Sequence, residues 1–183
     1  MRFFNEILFD DLECLKNLRK CKKELEEKGK IKIKINKNIV RIEGEEFYDV
    51  YKATNVVEAI KVGFDPKDAL NLLDEEYTLL KIDVREAVGK DIKHIRRVLS
   101  RIIGTKGKAK KIIQQISNAK IIIKGHDVYI LGKLDEVEIA RDAVSRLIQG
   151  SPHSKVYHKA EQRRKELKIR RKLEELGILD FTL

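Results

Sequence analysis

The chain has 183 residues, 42% of them hydrophobic and 38% charged, with a formal net charge of +10. That is apolar matter enough for one large domain or two small ones, under a surface far more charged than the usual quarter. Two cysteines are too few to staple a secreted fold, Glu6 comes too early for a signal peptide, and no apolar run nears the roughly 18 residues of a membrane span, so a soluble, cytoplasmic protein is expected.

Leu12 to Lys28 reads as a helix, with Cys14 and Cys21 seven apart on one face. Ile31 to Ile35 alternates apolar and polar residues, the mark of a strand, and Asn36-Lys37-Asn38 turns it into a second strand carrying Val40 and Ile42. A helix follows from Tyr51 to Val62. Asp65-Pro66 opens a short helix, Lys67 to Leu73, with proline at its first position. Thr78 to Val84 reads as a strand, and Gly89 breaks the chain before a helix from Asp91 to Ile103. Gly104-Thr105-Lys106-Gly107 joins that helix to another, Lys108 to Ser117. Two strands, Ala119 to Lys124 and Asp127 to Leu131, meet around Gly125-His126. Glu136 to Gln149 is a closing helix with Asp135 as its N-cap. The tail, Lys159 to Leu176, has helical character but only a thin apolar stripe at Leu167, Leu173 and Leu176. It is expected to be partly disordered until it meets RNA or a partner.

The chain repeats itself at a spacing of 88. Lys20-Cys21-Lys22-Lys23 aligns with Lys108-Ala109-Lys110-Lys111, Ile33 and Ile35 with Ile121 and Ile123, and Gly44 with Gly132. In the second copy two helices can cover one face of a three-stranded sheet, an α+β arrangement. In the first copy Lys16-Asn17-Leu18-Arg19 falls opposite Gly104 to Gly107, with no glycine at either end. Good helix formers there predict one unbroken helix. The first copy also lacks room for a strand and helix of the second copy's length.

Charge is concentrated. From Ile92 to His126 there are ten basic residues and no acid, and the rest of the chain then balances at 30 basic and 30 acidic. His153 to Lys172 adds nine Lys or Arg against Glu161 and Glu166. Two basic tracts in an otherwise acidic chain form a footprint for a polyanion. A solvated Lys-rich surface of the thermophile kind is the alternative, but such surfaces mix both signs.

A lone GxxG is close to a chance match, since glycine is common. Here it follows Ile102-Ile103 and opens a basic helix. Glycine lets backbone N–H groups approach a phosphate closely, and the next helix turns its anion-favouring N-terminus toward the loop. A plain helix–helix turn would use the same glycines for backbone reasons alone. Arg97, Arg101, Lys106, Lys108, Lys110, Lys111 and Lys124 are placed to attract and position an RNA backbone. Ile103, Ile113 and Ile121 are candidates for the floor of a groove where bases pack.

Ile102-Ile-Gly-Thr-Lys-Gly-Lys108 resembles the core of type I KH domains, which grip about four nucleotides through that loop. Arg101-Ile-Ile-Gly104, Val128-Tyr-Ile-Leu-Gly132, Ile139-Ala-Arg-Asp-Ala-Val144 and Gly150-Ser-Pro-His-Ser-Lys-Val-Tyr157 extend the likeness. They resemble the archaeal two-KH-domain family related to the ribosome-assembly factor "partner of Nob one" (Dim-two-like). The resemblance implies two tandem type I KH-like units, each a three-stranded sheet with helices on one face. The first, 1–75, is degenerate and lacks GxxG; the second, 76–150, carries it; a basic helical tail spans 151–183. It implies binding of single-stranded RNA, near the 3′ end of small-subunit rRNA, and partnership with the endonuclease that trims that end and with translation initiation factor two. A protein-interaction scaffold is the alternative.

Other chemistry finds little support. His94, His126, His153 and His158 have no ligand spacing with cysteine or carboxylate, so neither metal nor cofactor is expected. No phosphate loop of the GxxxxGK[ST] form occurs, and Asp10-Asp11, Glu45-Glu46 and Glu75-Glu76 stand without a nucleophile beside them. No enzyme is expected. His126 reads as a turn residue and Tyr157 as an anchor for the tail.

Overall fold

The structure is a computed structural model and describes residues 2–178. The ends of the segments 1–75 and 151–183, Met1 and residues 179–183, lie outside it. The chain divides into two compact units, Met1–Leu80 and Lys81–Leu183. Among the described residues no helix is long and apolar enough to cross a membrane.

The first unit runs β1 (Phe3–Leu8), α1 (Leu12–Gly29), β2 (Ile31–Asn36), β3 (Ile39–Gly44), α2 (Phe47–Val62) and α3 (Pro66–Leu70). Its sheet has the order β1-β3-β2 and is antiparallel, with Ile7 opposite Val40 and Ile33 opposite Ile42. Period-two alternation puts Ile31, Ile33, Val40 and Ile42 on the buried face. The helical spacing of Cys14, Leu15, Leu18, Cys21 and Leu25 buries one side of α1. Each such side chain, withdrawn from water, stabilises the fold by roughly 1.5–3 kcal/mol. Burial also pushes the Cys21 thiol up from its ordinary range.

One expectation needs correction here, and one agrees with the structure. A strand does occupy the start of the chain: β1 has six residues against seven in its counterpart. It lies at the sheet edge with only Ile7 buried, so its sequence carries little alternation. What the first unit lacks is the break between helices. The helix α1 passes unbroken through Lys16-Asn17-Leu18-Arg19, and Leu18 is wholly buried.

Strand β4 (Tyr77–Asp83) spans the division at Leu80 and belongs by its pairing to the second sheet. The second unit continues with α4 (Val84–Val88), α5 (Ile92–Ile103), α6 (Lys108–Ser117), β5 (Lys120–Lys124), β6 (Asp127–Lys133), α7 (Leu134–Ile148) and α8 (His153–Glu175). The sheet order is β4-β6-β5, and β5 pairs antiparallel with β6, Ile121 opposite Ile130. The bounds of α6 and of the β5–β6 turn agree closely with the sequence reading. Helix α4 departs from it: Val84 ends no strand but starts a helical turn, because Asp83 caps it by accepting from the Arg85 N–H at 2.9 Å. Nor is Asp135 the cap of α7. The cap lies two residues earlier, at Lys133, whose N–H donates to Glu136 Oε2 at 3.0 Å.

The Asp83 cap supports a test. The Arg85 guanidinium hydrogen-bonds its carboxylate at 2.6 Å and, with the backbone N–H, holds its pKa down at about 2. A depressed folded-state pKa means the stabilisation is complete above the unfolded-state value near 4. It is lost as pH falls through about 2. An NMR titration of the Asp83 carboxyl carbon is expected to show a midpoint near 2. In Arg85→Ala it moves up toward the ordinary carboxylate range.

Positions 88 residues apart share backbone geometry. Lys30 and Asn118 end α1 and α6 in the left-handed region, at φ 53° and 68°. Lys37 and Gly125 do the same in the two hairpin turns, at φ 51° and 63°. Glu26 Oε1 accepts from the Ile33 N–H at 2.7 Å, and Gln114 Oε1 accepts from the Ile121 N–H at 2.7 Å. Each bond ties a helix to the strand that follows it.

The C-terminal segment is not a loose tail. Helix α8 packs on α6 and α7, with Ala160 in a cluster with Ile116 and Ile139 and with Ile112, Tyr157 and Leu167 against it. Val156 is also buried. The apolar stripe begins at Val156 and Ala160, upstream of the leucines that mark it in the sequence. Arg171 pairs with Asp135, and Arg164 Nη1 donates to the Gln115 carbonyl at 3.0 Å. Tyr157 anchors the helix, and burial raises its hydroxyl pKa.

Candidate nucleic-acid interface

The GxxG segment lies at the step between α5 and α6. Helix α5 starts on Asp91, which accepts from the Lys93 N–H at 2.9 Å, and ends where the Gly104 N–H donates to the Ser100 carbonyl at 2.8 Å. Gly104 has φ 73° and ψ 172°, a region open essentially to glycine alone. A Cβ there would sit 2.6 Å from both the backbone nitrogen and the Cβ of Ala109. Gly104 is thus fixed by its conformation and by the close passage of α6. Gly107 differs. Its φ is also positive, at 75°, but nothing lies within 4 Å of where its Cβ would be. Between them Thr105 and Lys106 are exposed, and Lys106 is left-handed at φ 52°. The Gly107 N–H closes the turn on the Gly104 carbonyl at 3.1 Å.

No side chain caps α6, so its first turn presents N–H groups toward the loop with only Gly107 in front of them. That is the arrangement in which a helix terminus receives an anion. Lys108 and Lys111 are exposed on α6, and Lys110 is half-buried. Arg97 is exposed on α5, and Lys124 is exposed beside the β5–β6 turn. That turn is held to β4 and to the start of α4: Lys81 of β4 pairs with Asp127 at 3.0 Å, and the Val84 N–H donates to the His126 carbonyl at 3.1 Å. The Asp127 bond raises the Lys81 pKa. His126 is exposed in the turn.

Three expected site residues are placed differently. Ile113 and Ile121 are 0% and 2% exposed, inside the core between α6 and the sheet, and cannot floor a groove open to bases. The periodicity that marks a groove wall also marks a core, and here the core claims both. Ile103, at 39%, stays on the surface next to the loop. Arg101 is drawn inward. Its Nη2 donates to the Ser151 carbonyl at 2.7 Å, its own carbonyl meets His153 Nε2 at 2.9 Å, and its Nε is buried without a partner. It ties the last turn of α5 to the first turn of α8 rather than standing free for a phosphate. Sequence reasoning misses this tie and the whole α6–α8 seam. The spacing of Val156, Ala160 and Leu167 is the available signal.

A helix–GxxG–helix step followed by an antiparallel hairpin, on a three-stranded sheet covered by helices, defines a type I KH domain. A family model described as "Eukaryotic type KH-domain (KH-domain type I)" matches residues 78–165. The KH domain-containing protein MJ0443 of Methanocaldococcus jannaschii is 38% identical over 119 residues, 65% of this chain and 52% of its own length. The pre-rRNA-processing protein pno1 of Schizosaccharomyces pombe is 40% identical over 113 residues, 58% of this chain and 44% of its own length. Among solved structures, aDim2p of Pyrococcus horikoshii, crystallised in a complex with a/eIF2alpha and rRNA, superposes with a TM-score of 0.76 at 32% identity. That match covers 91% of this chain and 96% of that one. The chain belongs to the PNO1/Dim2 family of KH-domain RNA-binding proteins. Its matches span about half the length of these curated relatives.

Proposed function

We propose that the protein binds single-stranded RNA and acts in small-subunit ribosome assembly, near the 3′ end of the small-subunit rRNA. The observation that carries this reading is the open loop at Gly104–Gly107. It has two left-handed residues in a row, an empty space before Gly107 and the uncapped start of α6 behind it. Backbone N–H groups hold phosphates there, while Arg97, Lys106, Lys108, Lys110, Lys111 and Lys124 supply the field and Ile103 the apolar contact for a base. The relatives' pre-rRNA-processing names and the rRNA in the Pyrococcus complex support the choice of RNA. That complex also supports initiation factor two as a partner. The endonuclease that trims the rRNA 3′ end belongs to the same reading, as does a cytoplasmic location.

In this reading the chain is two tandem KH-like units, the first degenerate. The shared geometry at a spacing of 88 supports the pairing, and the unbroken α1 supports loss of the first grip. Crosslinking the protein to RNA in cells and mapping the bound positions tests the assignment. Enrichment at the 3′ end of small-subunit rRNA is expected, and crosslinks scattered over unrelated RNAs would remove it. One observation favours a second role as a protein scaffold. The first unit exposes Phe47, Tyr48 and Tyr51 on α2, with the Phe47 and Tyr51 rings stacked at 6.4 Å. Pull-downs before and after nuclease treatment separate the roles, since protein contacts survive RNA removal.

A further inference from the structure

The two basic tracts, separate in sequence, share one surface in the second unit. Helix α8 starts at the base of the GxxG loop, where His153 meets the Arg101 carbonyl, and Arg164 reaches Gln115 near the other end of α6. The two helices therefore run side by side in the same direction. Ile112 and Ile116 face α8, which leaves Lys108 and Lys111 along the neighbouring exposed edge of α6.

The two flanks of α8 differ in charge. The flank toward α7 mixes signs: Lys159 and Arg163 stand with Glu166 beside Glu138, Arg141 and Asp142 of α7. Arg163 pairs with Glu166 and Arg170 with Glu174. The flank toward α6 follows Tyr157 and Arg164, the residues that touch α6, at helical spacing. It carries Arg164, Lys165, Lys168 and Lys172 against two acids, Glu161 and, in the last turn, Glu175. Lys165, Lys168 and Lys172 are exposed, and none pairs with a carboxylate within 4 Å among the described residues. Unpaired cations of one sign in a row cost self-repulsion unless a polyanion lies on them.

We infer that the α6–α8 flank is a second RNA contact, which binds the sugar–phosphate backbone of nucleotides that flank those held by the GxxG loop. Resting on the single-stranded RNA reading above, it extends that reading from a four-nucleotide grip to a longer track. Helix α8 has 23 residues and is about 35 Å long, enough to follow several further nucleotides. Phosphate contacts of this kind position RNA without reading its bases.

The test compares the full chain with the triple variant Lys165→Gln, Lys168→Gln, Lys172→Gln. The probes are random-sequence single-stranded RNA pools of about 6 and about 18 nucleotides, one near the loop's grip and one well beyond it. On the long pool the variant is expected to bind about tenfold more weakly. Its plot of log affinity against log salt is expected to flatten by about 2, at roughly 0.7 for each phosphate no longer neutralised. On the short pool it should equal the unaltered chain. Equal losses on both pools, or no loss on the long one, would overturn the track while leaving the loop's grip intact. If the unaltered chain binds neither pool, the RNA reading itself falls, and the track with it.

Discussion

Thr105→Asp combined with Lys106→Asp is expected to reduce single-stranded RNA affinity at least about a hundredfold while leaving the melting temperature unchanged. Both side chains are exposed, so the core packing is undisturbed. Aspartate also tolerates the left-handed conformation found at Lys106. What changes is the field at the loop: a cation goes and two anions arrive where phosphate must approach backbone N–H groups. At about 5 Å, each repulsion costs on the order of 1–3 kcal/mol at dielectric constants between bulk water and a protein surface. Two of them, with the cation's attraction also removed, reach the roughly 2.8 kcal/mol that a hundredfold drop requires. Fluorescence anisotropy with labelled RNA, run beside a thermal melt, reads both quantities. Undiminished affinity in a folded variant would remove the loop from the binding surface.

The second large effect separates the two glycines. Gly104→Ala forces a methyl group to 2.6 Å from Ala109 in a backbone region that side chains avoid. Strain of about 1–3 kcal/mol and overpacking of similar size predict a loss of roughly 2–6 kcal/mol in a urea melt. Gly107→Ala meets open space and a milder left-handed strain of about 1–2 kcal/mol. Its methyl group instead stands where a phosphate would lie against the start of α6. The expected pattern is a large stability loss at Gly104, and at Gly107 a small one with a disproportionate drop in RNA affinity. Equal behaviour of the two variants in both measurements would show that the glycines serve the turn alone.

The parts of the fold legible in the sequence are those where local chemistry agrees with tertiary demand. Helix α6, bounded by Gly107 and by left-handed Asn118, and the hairpin around Gly125-His126 carry their own punctuation. Strand β1 does not: its sheet-edge position leaves Phe4, Asn5 and Glu6 exposed in succession, and no alternation survives to mark it. The start of α7 misleads because a sequence rule favours Asp135 as cap, whereas Glu136 reaches back to the Lys133 N–H. At the site, the loop and its basic neighbours are readable, since glycines and charges are local signals. The burial of Ile113 and Ile121 and the inward turn of Arg101 are not. They depend on which face the sheet covers and on a helix that returns from fifty residues away.

That returning helix bears on how portable the KH unit is. A three-stranded sheet with its helices is usually thought of as a cassette that ends with the helix after the last strand. Here that boundary would fall at Ile148, before α8. A cut there would strip the cover from Ile112, Ile116 and Ile139 and leave the Arg101 guanidinium without its Ser151 acceptor, three residues before the loop. The family match runs on to residue 165, past Val156, Ala160 and Arg164. The smallest transplantable module that keeps its grip intact therefore includes the first three turns of α8, and grafts made to the shorter boundary would carry the motif without its brace.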